Sequence, residues 1–386
     1  FLRYYARHMR ELSVPLKIGQ IPGEAAIYHY QPRGVSLVIA PWNFPLAIIC
    51  GMAAASIVTG NTVIMKPAEQ SSIVASALMK LFQEAGLPKG VLNFLPGLGE
   101  DVGEYLVSHK DITTIAFTGS KAVGLHILKQ AAIVHPGQHH VKRCLIEMGG
   151  KNAIIIDNDA DLDEAVEGVI YSAFGFAGQK CSACSRVIIL EEVYDKFIER
   201  LIEATKSLTI ATAENPACYY GPVIDREAYD RIMTTIEKSK KLHKLLYQGQ
   251  VPAGGYFIPP TIFESLDPNS ELTQEEIFGP VLATLKAKNI DHALEIANGT
   301  QYALTGGVFS RSPENIDKVR DSFECGNLYI NRGITGAMVD RHPFGGFKMS
   351  GIGSKTGGID YLKQFMEPRA IAENTMRRGF APASEE

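Results

Sequence analysis

A chain of 386 residues exceeds one typical hydrophobic core, so about two to three domains are expected, and an apolar content of 46% suffices to bury them. The net charge of -4, with acids and bases interspersed, argues against a nucleic-acid or polybasic membrane footprint and favours a small neutral or mildly charged ligand. No apolar run reaches the length of a membrane span, and six scattered cysteines without framework spacing point to a reducing, cytoplasm-like compartment.

The start, Phe1-Leu2-Arg3-Tyr4-Tyr5, has neither the shape of a signal peptide nor an initiator Met, so a chain clipped at its N-terminus is expected. From Leu16 to Pro32 the residues alternate around Pro22-Gly23, which reads as a two-stranded arm joined by a turn. From Val35 to about Met148, β-branched or apolar runs at 35–40, 62–65, 91–94 and 113–117 alternate with helical patterns, the signature of a doubly wound parallel sheet. Ser71 or Ser72 can cap the helix running to Ala85, and Gly86-Leu87-Pro88 stops it. A second series begins at 153–156, with a helix over about 162–174, a strand at 186–190 and a helix from near Val193 to Ser207. Two α/β domains in tandem are the simplest account.

Several places along this framework suit chemistry. Lys66 and Glu69 follow the second strand, where dinucleotide folds grip the adenosine ribose; a carboxylate there accepts from a 2′-hydroxyl and repels a 2′-phosphate. The run from Gly97 through Gly99 to Gly103 follows a strand but misses the usual dinucleotide spacing by one residue. Phe117-Thr118-Gly119-Ser120, with Gly124, also lies where a strand gives way to a helix, so free N–H groups there can receive a pyrophosphate. Each of these glycines also fits a tight turn. Cys181 in Gly178-Gln179-Lys180-Cys181, with Glu147 upstream, suggests a thiol nucleophile and a carboxylate that activates water. Cys181 and Cys184 form a CxxC, but without a second CxxC or a His at ligand spacing no metal is expected. Either cysteine alone also fits a buried inert thiol.

Taken together, Pro41-Trp42-Asn43-Phe44-Pro45, Lys66-Pro67-Ala68-Glu69, Phe117-Thr118-Gly119-Ser120, Glu147-Met148-Gly149-Gly150-Lys151, Gly178-Gln179-Lys180-Cys181, Glu275-Glu276-Ile277-Phe278-Gly279-Pro280 and Pro343-Phe344-Gly345-Gly346 resemble the aldehyde dehydrogenase superfamily, in its order and across nearly the whole chain. The stretch 178–186, Asn331-Arg332 with Thr335-Gly336-Ala337, and the tail 357–362 resemble its L-glutamate γ-semialdehyde (1-pyrroline-5-carboxylate) dehydrogenases, a group that includes the C-terminal half of proline-utilisation enzymes.

The resemblance implies a Rossmann-type NAD domain, an α/β catalytic domain and a β oligomerisation arm. It divides the chain into an N-terminally truncated NAD-binding domain at 1–147 with the arm at about 16–33, and a catalytic domain at 148–330. A substrate-anchor loop and return to the NAD domain follow at 331–369, then an oligomerisation strand and tail at 370–386 that add to a neighbour's sheet. It assigns the nucleophile to Cys181, the oxyanion to the Asn43 amide and the Cys181 N–H, the hydrolytic water to Glu147, and the nicotinamide ribose and ring to Glu276 and Phe278. Ser182 and the N–H groups of Gly336 and Ala337 would anchor a substrate carboxylate between Phe44 and Phe344. The expected activity is NAD-dependent oxidation of glutamate γ-semialdehyde by at least a dimer, in the cytoplasm or, in a eukaryote, the mitochondrial matrix. Oxidation of another short semialdehyde such as succinate semialdehyde, a silent structural homologue and a thiol-redox role are the alternatives. Family members carry a longer N-terminal region that supplies an acidic residue for the substrate amine; this chain is expected to lack it.

Overall fold

A computed structural model describes residues 1–376. The first sheet runs Gly351–Ile352, Arg143–Glu147, Ile112–Thr118, Val35–Ile39, Thr62–Lys66, Leu92–Phe94, parallel except for the first strand. Its strands are near-continuous apolar runs because both faces are covered. Leu37, Ile115 and Ile146 enter one core layer and Val38, Ala116 and Leu145 the other. Chain order reverses between Val35–Ile39 and Ile112–Thr118, the switch point at which loops on either side diverge and leave a crevice.

The second sheet runs Lys244–Gln248, Thr261–Glu264, Val281–Ala287, Cys184–Leu190, Asn152–Ile156, Thr305–Phe309, Asn327–Ile330, with only the first strand antiparallel. Helix Leu162–Phe174 covers one face and starts at Asp161, whose carboxylate accepts the N–H groups of Asp163 and Glu164. Ile154 and Ile156 face that helix; Ala153 and Ile155 face the opposite layer. No helix among the described residues is long and apolar enough to cross a membrane.

Two local expectations are corrected. Helix Ser72–Glu84 has no side-chain cap: a short turn at Glu69–Ser71 feeds straight into it, and the hydroxyls of Ser71 and Ser72 both donate back to the Ala68 carbonyl. The two-stranded arm expected over 16–32 forms, but the returning strand joins it within the same chain. Leu16–Lys17 pairs with Glu24–Pro32, and Met366–Asn374 pairs antiparallel with the other edge of Glu24–Pro32 over nine residues. The returning strand thus finds its first partner in its own chain, and Glu367 is held between Arg33 and Arg143 at the root of the arm. The part of the expected C-terminal strand and tail at 377–386 lies outside the described residues.

Candidate active site

Cys181 follows helix Leu162–Phe174 through a strained turn. Phe176, Ala177 and Gly178 take φ of 60°, 54° and 67° in succession, a conformation that costs non-glycine residues energy and persists only when the surroundings enforce it. The enforcement is visible: a methyl group on Gly178 would overlap the Gly279 carbonyl, so this turn is pressed against the segment carrying Glu276 and Phe278. Beyond the turn, the Asn152 amide donates to the carbonyls of Cys181 (2.7 Å) and Ala183 (2.8 Å) and accepts from the Thr305 N–H (2.9 Å), fixing the nucleophile's backbone to the sheet.

Two cavities meet at this cysteine. One, of about 230 Å³, is lined by Phe44, Glu147, Ser182, Gly336, Ala337 and Phe344 among others; the second, of about 460 Å³, is lined by Trp42, Asn43, Gly119, Ser120, Glu276 and Phe278 among others. Cys181, Thr118 and Ile48 belong to both walls. A reagent in either cavity therefore reaches the same sulfur.

The electrostatics favour neutral resting groups. Burial, and after it the carboxylates of Glu147 and Glu276, holds the Cys181 thiol well above its ordinary range, against the N–H groups of Ser182 and Cys181 itself. The resting nucleophile is a thiol, not the thiolate its chemistry requires. Burial pushes Glu147 up to about 8, with Lys355 pulling the other way. Burial also raises Glu276 to about 7, opposed by the Gly150 N–H and by Lys151, Arg231 and Lys121. Asn43 is buried, and its amide donates to the Gln179 carbonyl at 3.0 Å. An amide nitrogen has two hydrogens, so that bond orients the group and leaves one free.

The larger cavity lies at the switch point, and its residues fit a dinucleotide. Helix Lys121–Ala131 begins there, capped by Ser120, whose Oγ accepts from the Val123 N–H at 3.3 Å. Its first N–H groups are available to an anion. A methyl group on Gly149 would overlap the Glu276 carboxylate, and the Gly150 N–H donates to that carboxylate at 3.1 Å, so the double glycine cradles it. Phe278, at φ 56°, stands edge-on to Trp42 with ring centroids 5.7 Å apart.

The remaining expected cofactor residues are placed unevenly. Glu69 accepts the Gly99 N–H at 3.2 Å, and Lys66, buried with its ammonium on the Pro67 carbonyl, lies beside Gly103. None of these four lines the larger cavity. Gly124 lies one turn inside its helix, where a side chain would strike Met148 and Ile146, so its place is in helix–sheet packing. Phe117 faces the smaller cavity rather than the larger one.

The aldehyde dehydrogenase family model matches residues 1–371. The chain belongs to the aldehyde dehydrogenase family. Among curated relatives, the 1-pyrroline-5-carboxylate dehydrogenase of Anoxybacillus flavithermus is 51% identical over 374 residues, covering 97% of this chain and 73% of that protein. That of Bacillus subtilis is 49% identical with the same coverage. Among solved structures, proline utilization A (PutA) from Bdellovibrio bacteriovorus is 70% identical with a TM-score of 0.96, covering 99% of this chain. This chain spans 40% of that protein's length. A Thermus 1-pyrroline-5-carboxylate dehydrogenase with bound NAD is 48% identical with a TM-score of 0.94, covering 96% of this chain and 72% of that one.

This aldehyde dehydrogenase site also uses residues that sequence reasoning passed over. Asn152 stands in plain view after the Gly149-Gly150-Lys151 run, yet its partners lie 29, 31 and 153 residues away. Phe176 sets its ring 6.2 Å from that of Phe44, which lines the smaller cavity. Tyr361 lines that cavity and stacks on Tyr5 of helix Leu2–Leu12 at 5.8 Å, while the Tyr5 hydroxyl accepts the Gly357 N–H. Nothing local in the sequence announces these long-range partners.

Proposed function

We propose that this chain oxidises L-glutamate γ-semialdehyde to L-glutamate with NAD, the second step of proline catabolism. The single observation that carries the reading is that Cys181 opens onto two cavities at once, one walled by Glu147 and short-chain apolar groups, the other by Glu276 and a capped helix N-terminus. The names of the relatives support the substrate, and the NAD bound to the Thermus protein supports the cofactor.

In this mechanism the Cys181 thiol gives up its proton to water, and the thiolate attacks the aldehyde carbon to form a C–S bond as the carbonyl π pair moves to oxygen. The developing oxyanion accepts from the free amide hydrogen of Asn43 and from the Cys181 N–H. Glu276 and Phe278 would hold NAD at the nicotinamide end and Thr118, Gly119 and Ser120 at the pyrophosphate, and the bound cofactor would supply the acceptor for the departing hydride. The thioester left on Cys181 is cleared when Glu147 takes a proton from water; the hydroxide adds to the carbonyl, the C–S bond breaks, and the acid leaves. Ser182 and the N–H groups of Gly336 and Ala337 anchor the α-carboxylate, with Phe44 and Phe344 flanking the chain. Lys66, Glu69, Gly99 and Gly103 would hold the adenosine end.

The same reading takes 1–147 as the cofactor domain, 148–330 as the catalytic domain and 331–369 as the anchor loop and return. Among the described residues the strand Met366–Asn374 pairs with Glu24–Pro32 at one end of the three-stranded sheet, and this sheet would extend into a second copy in a homo-oligomer. Six free cysteines suit a reducing compartment such as the cytoplasm. The test is NADH formation across a panel of semialdehydes. Cys181→Ala should abolish it while NAD still binds, and Ser182→Ala should weaken glutamate semialdehyde more than succinate semialdehyde. Full turnover by Cys181→Ala, or indifference to the α-carboxylate and amine, refutes the reading.

A further inference from the structure

Lys355 lies between the catalytic base and the loop that walls the substrate cavity. On one side, Gly351 sits in register opposite Glu147, and the Met148 N–H donates to the Ser350 carbonyl at 2.8 Å, so the segment is laid against the strand that carries the base. On the other side, Phe344 and Thr356 exchange backbone hydrogen bonds of 2.9 and 2.8 Å. Between these anchors the Lys355 ammonium donates to the carbonyls of Gly345 (2.6 Å) and Gly326 and to the Asn327 side-chain oxygen (3.1 Å). An ammonium has three donors, and all three end on neutral oxygens. Its geometry is satisfied while its charge is left to act on whatever carboxylate is near.

We propose that Lys355 is a positioning residue for the general base: its clamped ammonium supplies the fixed positive charge against which Glu147 ionises, and it ties that charge to the loop bearing Phe344. The proposal rests on the reading of Glu147 as the base. Among the described residues the titratable groups that face Glu147 are Lys355, Cys181 and Tyr361, and of these Lys355 alone is cationic. On the far side Lys355 faces Cys325, which burial holds as a neutral thiol. Lys355 therefore has one carboxylate to serve. Because its three oxygens belong to the chain segments at Gly326–Asn327 and Gly345, a shift of the cavity wall would move the charge, and with it the readiness of the base.

The sign of the effect is fixed. A nearby cation favours the carboxylate, so removing it makes Glu147 harder to ionise and moves the acid limb of thioester hydrolysis to higher pH. The experiment follows the NADH burst and the steady-state rate of the holoenzyme from pH 6 to 10 for wild type, Lys355→Gln, Lys355→Met and Lys355→Arg, with Glu147→Gln beside them. Glutamine keeps a donor for the carbonyls and so separates folding from charge; arginine keeps the charge. The expected result is a limb displaced by about one pH unit in both neutral variants, which is roughly tenfold slower hydrolysis at pH 7 with the burst retained, and a limb close to wild type for Lys355→Arg. An unmoved limb in Lys355→Gln, or one displaced equally in Lys355→Arg, overturns the proposal while leaving Glu147 as the base. Unimpaired hydrolysis by Glu147→Gln instead overturns the underlying reading.

Discussion

The Glu276 carboxylate occupies the space that a side chain on Gly149 would need, and the neighbouring Gly150 N–H binds it. A carboxylate seated on bare backbone is fixed without a second side chain, and its free oxygen can be turned to a ribose hydroxyl. Gly149→Ala inserts a methyl group into that seat, an overpacking that costs about 1–3 kcal/mol and falls on the carboxylate rather than on the core. NAD affinity should drop roughly tenfold to a hundredfold. Fluorescence titration with NAD, and the KM for NAD against that for aldehyde, would check it; an unchanged KM for NAD contradicts the assignment of Glu276.

Glu147 should reveal itself in the second half-reaction. With its carboxyl raised to about 8 by burial, the basic form accumulates only as pH rises through that value, so hydrolysis of the thioester should climb between about pH 7 and 9 and then level. Glu147→Gln should slow that step by a factor of about 10²–10⁴. Rapid-mixing measurements would show NADH from one turnover followed by a near halt, and an acylated Cys181 visible by intact mass.

Much of this architecture is legible in the chain because parallel strands buried on both faces are written as short apolar runs, as Ile112–Thr118 and Asn152–Ile156 show. The reactive segments are legible too, since Gly149, Gly150 and Gly178 each stand where a side chain would collide with a functional neighbour. What escapes is whatever depends on distant residues meeting. Tyr5 and Gly357, 352 positions apart, join under the substrate cavity, and Lys355 reaches Gly326 from across a loop. Protonation escapes as well: the spacing of Cys181 and Glu147 does not show that burial of both leaves a thiol next to a weak acid.

Asn152 is the residue on which the nucleophile's placement should depend most. Its amide satisfies two part-buried carbonyls and one buried N–H. Asn152→Ala leaves those groups unpaired, at about 1–3 kcal/mol each. The NADH burst and kcat should fall roughly tenfold to a hundredfold, as expected when a reacting atom is misplaced by about 1 Å, while the buried Cys184 should stay protected from iodoacetamide. Peptide mapping of the alkylated protein would distinguish this from simple unfolding, which would expose all six thiols.

Catalytic readiness at Glu147 also has a stability consequence that depends on pH. In the unfolded chain a glutamate loses its proton near 4.5, whereas in the folded protein this one holds it to about 8. Between those values the folded state binds a proton that the unfolded state has released, so this group lowers stability progressively as pH rises through the window and most fully above it. Glu147→Gln removes the liability, and its advantage over wild type should be absent at pH 4.5 and amount to a few degrees of melting temperature at pH 8.5. Glu276, raised to about 7, should behave alike over a narrower window, so a Glu276→Gln variant should gain its stability by pH 7.5 and no more beyond. Differential scanning calorimetry of the three proteins across this range would check the pattern. An equal gain at pH 4.5 would mean that glutamine stabilises by packing, and that the carboxyl is not held protonated in the fold.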